Sequence, residues 1–471
     1  MVGRRTRRRI GRAVGLVGVV LALALAAAPV CALDYADKLD ILDMLRRGSL
    51  TKLETWLAAY QNAFENGRAS DRLVDHAYSA FANSDPELAE TLDRWLDKRP
   101  ESYAALLARG TYYAHLVWIV RGTVPADKIR PESRRAMGEF LDLARRDLEA
   151  AVARKPRLSA AYARLITAHK WLGNASDAEF VMRKGLDLVP GSFVIRAAYL
   201  DSLVPWWRAE LTVAKALQDI SGFMKEVEYS AQRYPDLRPL VGYPDFVSGE
   251  LLSRAGRYDA AGGYLDRALS HGAFWMYHFE RGVTFALGGQ HVFALQRYDR
   301  ALALRPQAAE ILAQRGWAYW GLDNRSQAIV EWDQALALDA LEPGTLAAKA
   351  TALEALGRSD EALAAYDKAV FYGAYDRQVR AGRGTLRLHR FGDFAGAVED
   401  LRVATELAPD QIGYWHDYGL ALVKMNACDG DAAAALATYI RLCRDNGGCP
   451  EDRLIWAAGT VERITAGDCT E

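Results

Sequence analysis

The sequence predicts an all-α protein, in which an N-terminal helical domain runs into a solenoid of paired helices and ends in a disulfide-stapled cap. Three observations predict it. Small residues recur every 34 positions through the C-terminal half: Ala294, Ala328 and Ala362, then Ala301, Ala335 and Ala369. Elsewhere the apolar residues follow helical spacing, as in Leu39, Leu42 and Leu45. Four cysteines, Cys428, Cys443, Cys449 and Cys469, all fall within the last 44 residues.

The segment 1–32 reads as an export signal. A basic stretch from Arg4 to Arg12 precedes an apolar run from Ala13 to Val30, and Val30-Cys31-Ala32 offers the small residues of a cleavage site. The expected location is periplasmic or secreted, in a bacterial, oxidising compartment. An uncleaved inner-membrane anchor is the alternative, because 18 apolar residues barely span a bilayer. No other apolar run is long enough to cross a membrane.

The remainder is mixed in charge. Of 59 basic and 60 acidic residues, six Arg belong to the first 32, which leaves the rest mildly acidic. Phosphate neutralisation needs a basic surface, so no nucleic-acid partner is expected.

Residues 33–240 are read as the N-terminal helical domain. Gly48 marks a helix C-terminus, Ser84-Asp85-Pro86-Glu87 a helix start, and 122–131 a loop. Residues 241–410 form the repeat array and 411–471 the cap. Gly282 and Gly316 share the 34-residue period, as do the aromatics Tyr298, Trp332 and Tyr366. Antiparallel helices approach closely only where side chains are small, and the aromatic fills the gap to the next pair.

Gly316, Tyr319, Leu322, Ala328, Trp332, Ala335 and Leu338, with Pro306 and Pro409 at repeat ends, resemble the tetratricopeptide-repeat signature. A separate unit at 159–190 carries Tyr162, Leu165, Gly173, Ala178 and Pro190. The resemblance implies a right-handed superhelix that binds a protein or peptide in its concave groove. The spacing departs from 34 twice, to 33 between Ala261 and Ala294 and to 35 between Ala362 and Ala397. Such changes are expected in loops. Residues 38–210, from Ser102-Tyr103-Ala104 to Val204-Pro205-Trp206-Trp207, resemble a bacterial domain of unknown function that precedes helical repeats. Val204, Arg208 and Ala209 depart from that family's Arg-Pro-x-Trp-Gly-Gly pattern.

The resemblance assigns inner-groove slots to Met276, Phe279, Trp317 and Trp320, and in a later unit to His389 and Arg390. Packing of the four apolar residues against a neighbouring helix or the N-terminal domain is an equal expectation. The family's basic clamp for C-terminal carboxylates is not visible at these slots. In an up-down-up cap the expected pairs are Cys428–Cys469 and Cys443–Cys449, because Cys443 and Cys449 flank one tight turn.

Chemistry-bearing motifs do not emerge. The eight histidines form no HExxH, Gly382-Arg383-Gly384 follows no strand, and the cysteine spacing lacks close CxxC pairs. No metal and no cofactor are expected, and the chain is read as non-enzymatic. The expected function is a protein–protein interaction scaffold or adaptor, with a place in cell-envelope assembly. Two other classes stay open: an enzyme or enzyme subunit with its site near Trp206, Trp207 and Arg208, and a structural homo-oligomer.

Overall fold

The computed structural model describes residues 34–121, 129, 131–171, 174–204, 212–372, 376–425, 430–446 and 448–467. Among the described residues there are 23 α-helices and no strand. The N-terminal region holds α1 (Lys38–Arg46), α2 (Leu50–Glu65), α3 (Asp71–Tyr78), α4 (Pro86–Lys98), α5 (Tyr103–Arg121), α6 (Pro131–Arg154), α7 (Ser159–Trp171), α8 (Ala175–Leu188), α9 (Phe193–Ser202) and α10 (Val213–Arg233). A 3₁₀ segment, Pro235–Gly242, leads into the array.

Local chemistry sets the boundaries. Gly48 closes α1 at φ +67°, which a residue with a Cβ adopts only at a cost. Asp85 caps α4 by accepting from Glu87 N, with Pro86 in the first turn. Trp95 is fully buried against Phe81, ring centroids 6.2 Å apart, and its indole N–H donates to Glu54. The signal segment and most of the expected 122–131 loop lie outside the described residues.

The array is a run of hairpins: α11 (Tyr243–Arg254) with α12 (Tyr258–Ser270), α13 (Trp275–Leu287) with α14 (His291–Leu304), and α15 (Ala309–Gly321) with α16 (Arg325–Leu338). Then α17 (Pro343–Ala355) pairs with α18 (Ser359–Tyr372), α19 (Arg377–Leu386) with α20 (Phe394–Leu407), and α21 (Ile412–Lys424) with α22 (Gly430–Asn446); α23 (Glu451–Thr465) covers the end.

Five of the six hairpins close where the first helix has no side chain, and α17 has Ala350 at that slot. A Cβ on Gly316 would stand 2.4 Å from Nε1 of Trp332, and one on Gly419 would stand 2.5 Å from Leu436. The hairpin geometry thus runs on into the segment read as a cap. Trp332 is fully buried and donates its indole N–H to Ala313 O at 3.0 Å.

The 35-residue spacing is not absorbed by a loop, as the sequence suggests. It sits in a π-helical turn, Arg387–Phe391, which continues α19 and ends on Gly392 at φ +63°. A widened turn lets the helix take one more residue without displacing the next hairpin. Cys443 and Cys449 form a disulfide across the α22–α23 turn, Cα atoms 5.5 Å apart. Cys428 and Cys469 lie outside the described residues.

The N-terminal region folds back on the array. Tyr35 O–H donates to Leu304 O at 2.6 Å, and Lys38 Nζ to Gln307 O at 2.8 Å. Asn83 donates to Leu338 O, while Ser84 gives both N–H and O–H to Asp339.

Candidate functional site

The residues assigned to the groove do not form one continuous wall. Trp317 stands 40% exposed on α15, its ring edge-to-face with Trp332 at 5.3 Å. Trp320 is half-buried against the cluster around Trp332, with the Arg325 guanidinium over its ring at 5.6 Å. Phe279 packs on Tyr298, centroids 6.0 Å apart. Met276 faces elsewhere, lining a cavity between the array and the N-terminal region. His389 and Arg390 are exposed on the π-helical turn, and His389 Nε2 lies 3.8 Å from Asp417. Trp206, Trp207 and Arg208 lie outside the described residues.

A charge ladder that the repeat signature does not announce runs along the array. Arg281, Arg315, Lys349 and Arg383 recur at 34 residues on α13, α15, α17 and α19. Each reaches an aspartate on the preceding hairpin: Arg281 to Asp266 at 3.2 Å, Arg315 to Asp299 at 2.9 Å, Lys349 to Asp333 at 2.6 Å and Arg383 to Asp367 at 2.8 Å. Arg315 also grips Glu331 of α16, and Arg383 grips Asp400 of α20. Arg109, next to Gly110, repeats the pattern in the N-terminal region with Asp93 and Asp147. The signal was the Arg-Gly pair at 109–110, 281–282, 315–316 and 383–384.

The cavity that takes in Met276 has a volume of about 330 Å³. Its walls are Tyr35, α3 (Arg72, Asp75, His76), α7 (Arg164), α9 (Phe193, Asp201), the start of α13 and the end of α14 (Arg305). Burial alone would raise the Asp75 carboxyl, but its ion pair with Arg164 outweighs that and holds it low. Burial and nearby Lys38 push His76 down to about 3, so its ring is neutral at pH 7. Burial, with Arg305 adding to it, lowers the Lys38 ammonium to about 7. Below the cavity Asp71 is raised to about 6 by burial, although Ser192 O–H and the N–H groups of Phe193 and Val194 donate to it.

A second, more open groove of about 1040 Å³ separates α8 from α10. Three of the acids on it are paired, Glu179 with Arg183, Asp219 with Lys215 and Glu226 with Arg196. No cluster of three His, Cys, Asp or Glu suited to a metal occurs among the described residues. No described helix is long and apolar enough to cross a membrane.

Comparison with known proteins agrees with this architecture. Residues 38–177 match a domain of unknown function, DUF4034. Residues 246–309, 313–371 and 347–412 match the tetratricopeptide repeat. The comparison with curated proteins gave no match. Among solved structures, the chain is similar to TTC0263, a tetratricopeptide-repeat protein of Thermus thermophilus (21% identity, 39% of this chain and 99% of that one, TM-score 0.35). It is also similar to pilF of Pseudomonas aeruginosa (14%, 49% and 99%, TM-score 0.40). A third likeness is to the Cut9–Hcn1 hetero-tetramer of the APC/C (13%, 90% and 88%, TM-score 0.47). With hairpins and family matches falling on the same residues, this chain carries tetratricopeptide repeats in its C-terminal half, behind a region that matches a domain of unknown function.

Proposed function

We propose that the chain is an exported, non-catalytic adaptor that holds a protein or peptide partner on the face of the array presented by α13 and α15. Tetratricopeptide repeats support protein partnering in general. The observation that carries the finer reading is Trp317. A large aromatic left 40% exposed, yet fixed edge-to-face on a buried tryptophan, is a rigid anchor of the kind that dominates protein interfaces. Phe279 and Trp320 flank it as partly buried support. The non-catalytic part is supported by how the perturbed groups are used: Asp71 accepts from three donors of the α9 start, and Lys38 holds the array. The partner is placed in the bacterial envelope, on the strength of the export-like segment 1–32.

The test is capture of the tagged full chain from its host's envelope after in-cell crosslinking. Trp317→Ala with Trp320→Ala is run in parallel. One partner in fixed ratio, lost in the double variant, supports the adaptor. Recovery of the wild type only as itself, or capture unchanged in the double variant, refutes the surface. A mass that rises with concentration marks a homo-oligomer instead.

A further inference from the structure

The cavity between the N-terminal region and the array holds an unmatched positive charge. Its acids are all engaged: Asp75 with Arg164, and Asp201 with Lys170 at 2.6 Å. Arg305 has its own acid, Glu310. Arg72 does not. Its Nε donates to Ser70 Oγ at a long 3.4 Å, and among the described residues no carboxylate pairs with it. Its guanidinium lies 4.5 Å over the Phe193 ring, so the group is held in place while its two terminal nitrogens meet no acceptor among the described residues. A planar guanidinium fixed in this way is preorganised for two parallel hydrogen bonds to a carboxylate.

The rest of the lining mixes polar groups with aromatic rings. Phe193 meets Phe274 edge-to-face at 5.1 Å, and Phe274 meets Trp275 at 6.0 Å. Arg305 covers the Trp275 ring at 4.3 Å. His76 adds a buried ring whose Nδ1 has no partner. A volume of about 330 Å³ sits at the small end of ligand pockets, which run from about 300 Å³ upward. A folded partner does not fit in that space, and a metal finds no ligand cluster there among the described residues.

We propose that this cavity binds a small organic acid, with its carboxylate on Arg72 and a flat apolar body against Trp275, beside the nearly buried rings of Phe193 and Phe274. Both the N-terminal region and the array line it, so an occupant contacts both and stabilises their union. The site is separate from the α15 surface, because Trp317 and Trp320 do not line it. Either proposal can fail without the other.

The experiment uses the full chain and benzoate as the probe, with benzamide as its neutral counterpart, titrated by ligand-observed NMR. Benzoate is expected to bind about tenfold or more tightly than benzamide, since a charge-assisted pair is lost in the amide. Arg72→Gln is expected to erase that preference. Ala197→Phe, which fills the cavity from α9 without touching a charge, is expected to abolish binding of both. Circular dichroism and Tm of the unliganded variants report their folding. If Arg72→Gln does not fold, the benzoate-to-benzamide ratio on the wild type and the Ala197→Phe variant decide. Equal binding of the two probes, no binding at millimolar benzoate, or benzoate binding unchanged in either variant overturns the proposal. The tripeptide Gly-Gly-Phe with a free terminus separates the two sources of a carboxylate. It is expected not to compete; displacement of benzoate at lower tripeptide concentration would assign the site to a peptide end and overturn the small-acid reading.

Discussion

At the scale of single residues, the junction turns on Asp339. It takes Ser84 N at 2.8 Å, Ser84 Oγ at 2.5 Å and His115 Nε2 at 2.7 Å, and it is nearly fully buried. Burial works against a charge on either partner, but the pair outweighs it: His115 is raised and Asp339 lowered. The raised His115 contributes stability that is full below its ordinary value near 6.5 and is lost as pH rises through the higher folded value. The lowered Asp339 contributes stability that is lost as pH falls below about 4. We therefore expect Tm to decline as pH climbs from about 6.5 into the alkaline range, and His115→Gln to flatten that decline. A wild-type Tm unchanged by pH over this window would remove the pair from the account. Asp400 is the second such residue. Fully buried, it accepts from Arg380, Arg383 and Arg387 at 2.7–2.9 Å. Asp400→Ala removes the buried carboxylate that three cations share and is expected to cost about 3–5 kcal/mol in chemical denaturation, with Asp400→Asn milder.

At the scale of elements, helix pairs are set by two devices. One is the missing side chain. Gly316→Ala forces Trp332 to shift, and overpacking of that kind costs about 1–3 kcal/mol. The other is the ladder that ties each hairpin to its predecessor. Arg315 spans Asp299 and the buried Glu331, whereas Arg358 pairs with Glu361 on an exposed surface. Arg315→Met is thus expected to lower Tm clearly, and Arg358→Met to leave it nearly unchanged, because exposed pairs contribute about 0–1 kcal/mol. Equal effects would deny the ladder its structural role. The disulfide acts on one turn only. Opening a loop this short costs about 2 kcal/mol, and in a repeat array such losses stay local. Mild reduction is expected to speed amide exchange in α22 and α23 and to leave α13 to α18 unaffected.

At the scale of the whole molecule, residues some 255–270 positions apart in sequence are joined. Gln307 shows what that union demands. It sits at φ +51°, in the left-handed region, with its carbonyl and side chain both bonded to Lys38. Replacing Ser84 with Ala removes the hydroxyl that donates to Asp339 and accepts from Leu341 N, and leaves the carboxylate with the Ser84 backbone N–H and His115. We expect it to open the junction between the N-terminal region and α16 to proteolysis before the array melts; protection equal to wild type would show that the junction holds without it.

The hairpins were legible because a 34-residue period and a 3.6-residue helix are both local properties of the chain. Gly316, Ala328 and Trp332 announce their packing through spacing alone, and Cys443 and Cys449 flank a turn too short to separate them. The ladder was equally periodic, but a charge at a fixed slot reads as a solvated face until its partner is seen. The cavity left no trace in the sequence. Arg72, Phe193 and Trp275 lie on three segments up to 203 positions apart, with no period to relate them. The same holds for Ser84, His115 and Asp339. What the sequence by itself determined is the repeating helical pair, because the forces that make it act within about forty residues. Which charges meet across the junction, and which guanidinium is left facing a cavity, was decided only by the tertiary structure, because desolvation and pairing depend on what the fold brings near.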